Sequence, residues 1–416
     1  MAQGCVSNYN SNISMSSAKI ARKRQSRAEA AVAPRRFEAK WFMPVLFAAM
    51  TAVFYAAPLF DSAASIQWDA VDVHYSSQKY FSDNLLAGRL PYWTPYVYSG
   101  MPFLADPQTG AWYPLNWPFF LAGITPRAIE WELAIHALLG CLGMFLLARD
   151  ILGHRTTAIL AAIVYAFSGF FAGHSSHIGM FQAAALFPWL LWTTRRAVAG
   201  EWRLYGAGSV LVGACIVLAG HFQTALYCYW GLALLVAAMM LLREPGWRLR
   251  GPILLAATAI GAALLAAIQI LPGFELAAQS IRASADFGKQ TNGTLPAGAL
   301  LTLFSPDHYG AVSGAYHGPG DITQFYFYQG LLVPFLAIAG LVRSKGKWIA
   351  LTLLLPAIWY AIGPSGGLYL LIAKLPAFRS IRAPVHIWFI AALAIALLAG
   401  GGSLWLSSRN LLKNPL

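Results

Sequence analysis

The chain has 416 residues, of which 58% are apolar and 14% aromatic but only 11% charged, against roughly 25% charged in a soluble globular domain. That composition excludes an ordinary soluble enzyme. The formal charge of +13 would suit nucleic acid, but 8 of the 29 basic residues lie in the first 40 positions and most others sit in short segments between apolar runs, which is the pattern of a polytopic membrane protein and sets nucleic acid aside as a partner.

Residues 1–40 read as a disordered basic cytoplasmic tail ending in Arg35, Arg36 and Lys40, and 41–416 as one transmembrane domain. The first apolar run, Trp41 to Phe60, is too long for the core of a cleaved signal peptide and reads as a retained span. Spans are expected near 41–60, 131–148, 157–173, 181–194, 204–220, 224–242, 252–272, 326–342, 348–363 and 385–406. With the N-terminus inside, the inner segments hold 21 basic residues and the outer ones 8, so the expected orientation is N-terminus cytoplasmic. Eleven of the 16 acidic residues and seven of the nine histidines (His74, His174, His177, His221, His308, His317 and His386) fall on or beside the outer side. Ionisable chemistry is gathered on the extracytoplasmic face. Cys5 lies in the tail and Cys141, Cys215 and Cys228 lie in apolar runs, so no disulfide framework is indicated.

Two outer segments, 61–128 and 273–325, are longer than packed helices need for connection and are expected to carry function. The first opens with a helical pattern from about Val71 to Ala87, closed by Gly88, that should lie along the membrane surface. Asp69 stands where an N-cap would, and Asp72 follows three residues later. Each is either a cap or helix-end charge, or a partly desolvated general base that deprotonates a hydroxyl. The loop holds 14 aromatic residues. Interface belts account for most such rings, but Trp93 and Tyr113 could also present flat faces to a sugar or isoprenoid, with Asp106, Gln108 and Asn116 as polar handles.

Further along, His174 and His177 have H-x-x-H spacing without an assignable third metal ligand. His221 and Gln223 occupy a tight outer turn, and the intramembrane His136 and Gln269 should face the bundle interior. Glu275, Gln279 and Arg282 fall on one helical face. That Arg suits a lipid phosphate, or equally a structural pair with Glu275. Asp307 and His308 sit in a turn set by Pro306 and Gly310 and could place an acceptor hydroxyl or a cation, or simply be solvated. Arg379 and Arg382, before the last span, are candidates for phosphate or anionic-glycan contact, with lipid headgroups as the alternative.

Strings including DVHYSSQKYFSDNLLAGRLPYWTPYVYSGMPFLADPQTGAWYPLNW, FSGFFAGHSSHIGMFQAAALFPWL, GHFQTALY, LLAAIQILPGFELAAQSIRAS, LLTLFSPDHYG and LPAFRSIRAPVH resemble, in order, the outer segments of the YfhO-type family of bacterial membrane proteins, grouped with the GT-C glycosyltransferases. The resemblance implies an all-α GT-C-like fold of about ten spans in a bacterial inner membrane, a polyprenyl-phosphate-linked sugar as donor, inverting transfer to an envelope glycan or lipid acceptor on the outer face, and a catalytic acidic residue in the first outer loop, the matching position being Asp72. It also implies further spans and a C-terminal region after Leu416, so the sequence reads as a short variant or a truncated product.

The expected function is therefore an integral-membrane glycosyltransferase in which Asp72 is the base and Arg282, with Arg382, holds the departing phosphate. Asp69, Trp93, Asp106, Gln108, Tyr113, His221, Gln223, Glu275, Asp307, His308 and Arg379 complete the candidate substrate-binding set. A divalent cation at Asp72 or Asp307 is left open, and no other cofactor is implied. Two other classes use similar residues. One is a transporter or flippase of lipid-linked saccharide, which would need mid-membrane charges or broken helices. The other is a non-catalytic envelope-assembly scaffold, whose first loop would lack a cavity. Gathering of charge on one side favours surface chemistry.

Overall fold

The computed structural model describes residues 41–280, 292–375, 378 and 381–408. The expected N-terminal tail and its Cys5, together with Arg282 and Arg379, lie outside the described residues. Contacts divide the chain into two units, Met1–Leu46 and Phe47–Leu416. Only 41–46 of the first are described, as the beginning of a helix. The helical bundle is the second.

Twelve helices of ten or more residues are described: α1 Phe42–Phe54, α2 Ser76–Leu86, α3 Pro126–Leu152, α4 Arg155–Ala166, α5 Ile178–Ala199, α6 Trp202–Leu218, α7 Phe222–Leu241, α8 Trp247–Leu265, α9 Ala267–Ala278, α10 Val333–Arg343, α11 Lys347–Ala361 and α12 Trp388–Ser408. The only strands among the described residues are the antiparallel dipeptides Trp93–Thr94 and Met101–Pro102. Among the described residues, five helical segments are long and apolar enough to cross a membrane: Pro126–Leu152, Arg155–Gly173, Phe222–Leu241, Trp247–Leu265 and Pro384–Leu406. Every expected span coincides with helix, but three boundaries differ. The region 326–342 becomes helical only at Val333, where Pro334 sits in the first turn. The region 252–272 breaks at Ala266 into α8 and α9. The region 181–194, short in apolar sequence, belongs to a 22-residue helix that continues through Arg195 and Arg196.

The core is built on α12, 83% buried over its span, whereas α8 is 17% buried. α12 packs on α10, α11 and α4, and α3 on α4 and α5. Polar groups inside the bundle are tied across helices, as apolar surroundings demand. Thr194 and Thr193 meet Ser209 at 2.9 and 3.0 Å, and Tyr165 donates to Ala184 O at 2.7 Å. The cysteines Cys141, Cys215 and Cys228 are free.

The first loop is folded onto the bundle. Its helix α2 ends where Gly88, at φ +73°, takes the left-handed turn expected of a stop residue. Gln78 on α2 donates to the buried Glu132 at 3.0 Å, and Asn116 accepts from Gln182 of α5 at 2.9 Å. Phe81, Phe103, Phe120 and Ile124 form a small core beneath it. Gln269 donates to Ala105 O at 3.2 Å, joining the loop to α9. His136 bonds Glu132 O and Tyr113, so both intramembrane polar residues, His136 and Gln269, are spent on structure.

Candidate active site

The site begins with an irregular stretch of backbone. Trp68 adopts φ +60°, unusual for a bulky residue, and Ala70–Tyr75 then form a π-helical turn. Bonding from i to i+5 makes this turn wider than an α-helical one and shifts the residues around it out of ordinary helical register. Asp69 has helical dihedrals and no capping bond, which overturns its reading as an N-cap. Its Oδ2 instead lies 3.8 Å from His177 Nε2, with the carboxylate about half exposed. Asp72 is exposed; its backbone carbonyl accepts from Ser76 Oγ at 2.7 Å.

Asp69 stands at the edge of a group of histidines drawn from four chain regions. His174 Nδ1 and His177 Nδ1 are 3.4 Å apart. The His174 and His386 rings are 5.3 Å apart, and those of His221 and His386 6.3 Å. His74 is buried, held by the backbone of Gln108, and near enough to His177 to feel its charge. These positions are set by element ends: His177 precedes α5, His221 precedes α7, and His386 lies in the 3₁₀ turn Pro384–Ile387 that leads into α12. Burial pushes His74 down to about 4, its neighbour His177 adding to the effect. Burial also holds His174 well below the ordinary histidine range, with His386, His177 and His221 contributing. His177 is lowered by burial too, opposed by the charges of Asp69 and Asp321. At neutral pH these three are neutral rings, able to donate from one nitrogen and accept at the other.

Loop and bundle are locked together here. Gly220 has φ +89°, and a Cβ on it would overlap Pro107 O. The neighbouring His221 caps α7 by accepting from Thr224 N at 3.2 Å. Gln223 makes a two-point clasp on the backbone of Arg382, donating to its carbonyl and accepting from its amide at 3.3 Å. The Arg382 side chain is exposed beside this clasp.

Several expected ligand groups have structural work instead. Tyr113 is fully buried, its hydroxyl 2.7 Å from His136 Nε2, and so offers no face to a sugar. Asp106 accepts from the Gln108 amide at 2.9 Å in a local turn. Asp307 accepts from the amides of Val312 and Ser313 at 2.8 and 3.0 Å, and those bonds hold it below the usual carboxylate range. His308 packs on Tyr309. Trp93 is exposed and remains an available ring. Glu275 is exposed, and α9 ends at Ala278, so a shared face with Arg282 lies outside the described residues. Among the described residues no three His, Cys, Asp or Glu side chains are placed to hold a metal ion, and so neither Asp72 nor Asp307 belongs to such a group. The gathering of His74, His174, His177, His221 and His386 was not visible in the sequence beyond their expected placement on one side.

The chain is similar in structure to ArnT from Cupriavidus metallidurans bound to undecaprenyl phosphate, at 15% identity over 89% of this chain and 61% of that one, with a TM-score of 0.49. It is also similar to the archaeal oligosaccharyltransferase AglB from Archaeoglobus fulgidus, in complex with an inhibitory peptide and a dolichol-phosphate, at 13% identity over 91% of this chain and 52% of that one, with a TM-score of 0.52. The chain thus spans about three fifths and one half of their lengths. No family model matches the sequence, and neither does any curated protein. The likeness to AglB shows a shared fold. The protein is an all-α polytopic membrane protein with the fold of that chain.

Proposed function

We propose that the protein is an integral-membrane glycosyltransferase that moves a sugar from a polyprenyl-phosphate donor to an envelope glycan or lipid acceptor at the extracytoplasmic face. Membership of the YfhO-type family, from the ordered outer-segment strings, is part of the same proposal. The observation that carries it is the pairing of a half-exposed Asp69 with His177 at the rim of a buried histidine group, on a fold shared with AglB, whose structure holds dolichol-phosphate.

In this reading Asp69 takes the proton from the acceptor hydroxyl as its oxygen attacks the anomeric carbon. The carbon–oxygen bond to phosphate breaks, and polyprenyl phosphate leaves with the electron pair. His177 Nε2, 3.8 Å from the carboxylate, is a polar neighbour of the base. The exposed guanidinium of Arg382, its backbone held by Gln223, supplies charge for the departing phosphate. The resemblance favours Asp72 as base; the 3.8 Å approach of Asp69 Oδ2 to His177 Nε2 favours Asp69.

The donor class is tested in proteoliposomes carrying the purified chain and an envelope-lipid extract, supplied with radiolabelled polyprenyl-phosphate hexose or the matching nucleotide sugar. Label transfer from the lipid-linked donor alone is the expected result. Transfer only from the nucleotide sugar, or movement of intact donor across the bilayer without transfer, contradicts the proposal.

A further inference from the structure

A cavity among the described residues lies far from the histidines. Helix α5 has His177 at its start and Arg195 near its end, roughly 27 Å along the axis. Around that second end lies a cavity of about 680 Å³ whose lining includes Asp150, Arg195, Glu244, Trp247, Arg248 and Arg250. Arg195 is paired with Asp150 at 2.7 Å, and Arg250 donates to Val198 O at 3.3 Å, which pins the start of α8 to the end of α5. Arg248 has no ion pair or side-chain hydrogen bond among the described residues. With Arg195 and Asp150 offsetting each other, Arg248 and Arg250 against Glu244 leave one net positive charge in the lining.

The cavity opens onto the most exposed of the spans. On α8, Leu249, Ile253, Ile260 and Leu264 are 57–72% exposed, and their spacing places them on one helical stripe. The stripe runs about 22 Å from the cavity mouth, more than half of a hydrocarbon core of roughly 30 Å. A charged cavity with an apolar track leading from it matches one kind of molecule, with a small anionic head and long tails. We propose that this is a binding site for a monoanionic phospholipid, its phosphodiester held by Arg248 and Arg250 and an acyl chain lying along the α8 stripe. The chemistry is that of Arg forks on phosphate. The site is independent of the transfer reaction.

The test is native mass spectrometry of the purified full chain equilibrated with phosphatidylglycerol or phosphatidylethanolamine. Phosphatidylglycerol is retained about fivefold better, and Arg248→Gln lowers its retention about fivefold, the worth of one interfacial cation. Arg248→Lys retains most of the binding, and Lys345→Gln, on another turn of the same basic end, leaves it unchanged. Because Arg248 is exposed and makes no ion pair or side-chain hydrogen bond among the described residues, its loss should not alter the melting temperature. Equal retention of the two lipids, or an equal loss in Lys345→Gln, overturns the proposal. Displacement of phosphatidylglycerol by millimolar glycerol phosphate would show that the cavity takes a free phosphate ester and not a lipid.

Discussion

His177 Nε2 lies 3.8 Å from Asp69 Oδ2, joining the first long loop to the start of α5 at the point where His74 and His174 also converge. Two irregular elements flank this contact: the left-handed Trp68 and the π turn after it. π turns frequently mark functional positions. Here the turn follows directly on the carboxylate that meets His177.

The buried rings make the protein acid-sensitive. A histidine whose folded pKa is lowered binds fewer protons folded than unfolded, so its stabilising contribution is full above the unfolded value near 6.5 and is lost as pH falls toward the folded value. For His74 the window runs from about 6.5 down to about 4, and His174 and His177 act in the same direction. The melting temperature in detergent is expected to hold from pH 8 to 7 and fall steeply below pH 6. His74→Gln should flatten that fall. An unchanged slope would mean that His74 is not a neutral buried ring.

Gly220→Ala should undock the first loop from the turn before α7. The substitution puts a Cβ onto Pro107 O at a backbone angle that alanine disfavours, a cost of about 1–3 kcal/mol. Limited proteolysis within 90–110 should accelerate. Resistance equal to wild type would show that the loop is held elsewhere.

Gln223→Ala removes both bonds to the Arg382 backbone. The expected loss is about 1–2 kcal/mol of local stability, read as faster hydrogen exchange at 381–383. If Arg382 serves the departing phosphate, the variant also raises the KM for donor more than it lowers kcat.

Tyr113→Phe separates structure from chemistry. It removes the hydroxyl that meets His136 at 2.7 Å, leaving a buried ring nitrogen without its partner and costing about 1–3 kcal/mol of stability. Sugar transfer per folded molecule should be unchanged, since Tyr113 is buried away from any ligand. A fall in transfer at equal folding would restore Tyr113 to the site.

Much of this architecture is legible in the chain. The apolar runs locate the helices, and the first-loop helix with its Gly88 stop follows from periodicity and turn chemistry, although its first residues form a π turn. Gathering of His74, His174, His177, His221 and His386 at one side is readable from topology, but their meeting depends on helix packing that brings distant element ends together. Tyr113 and Asp106 mislead for a related reason. Aromatic and acidic residues in an outer loop look like ligand groups until the loop is seen to fold on the bundle and spend them on its own bonds. The choice between Asp69 and Asp72 turns on the approach of Asp69 to His177, which the regular helical pattern does not announce.

The most direct measurement compares initial rates of sugar transfer from polyprenyl-phosphate hexose by wild type, Asp69→Asn and Asp72→Asn at matched folded protein in proteoliposomes. With Asp69 as the base, Asp69→Asn loses about 10²–10⁴-fold, while Asp72→Asn stays within a few-fold of wild type. Full activity in Asp69→Asn would contradict that role, and a selective loss in Asp72→Asn would return the base to the residue that the family resemblance favours.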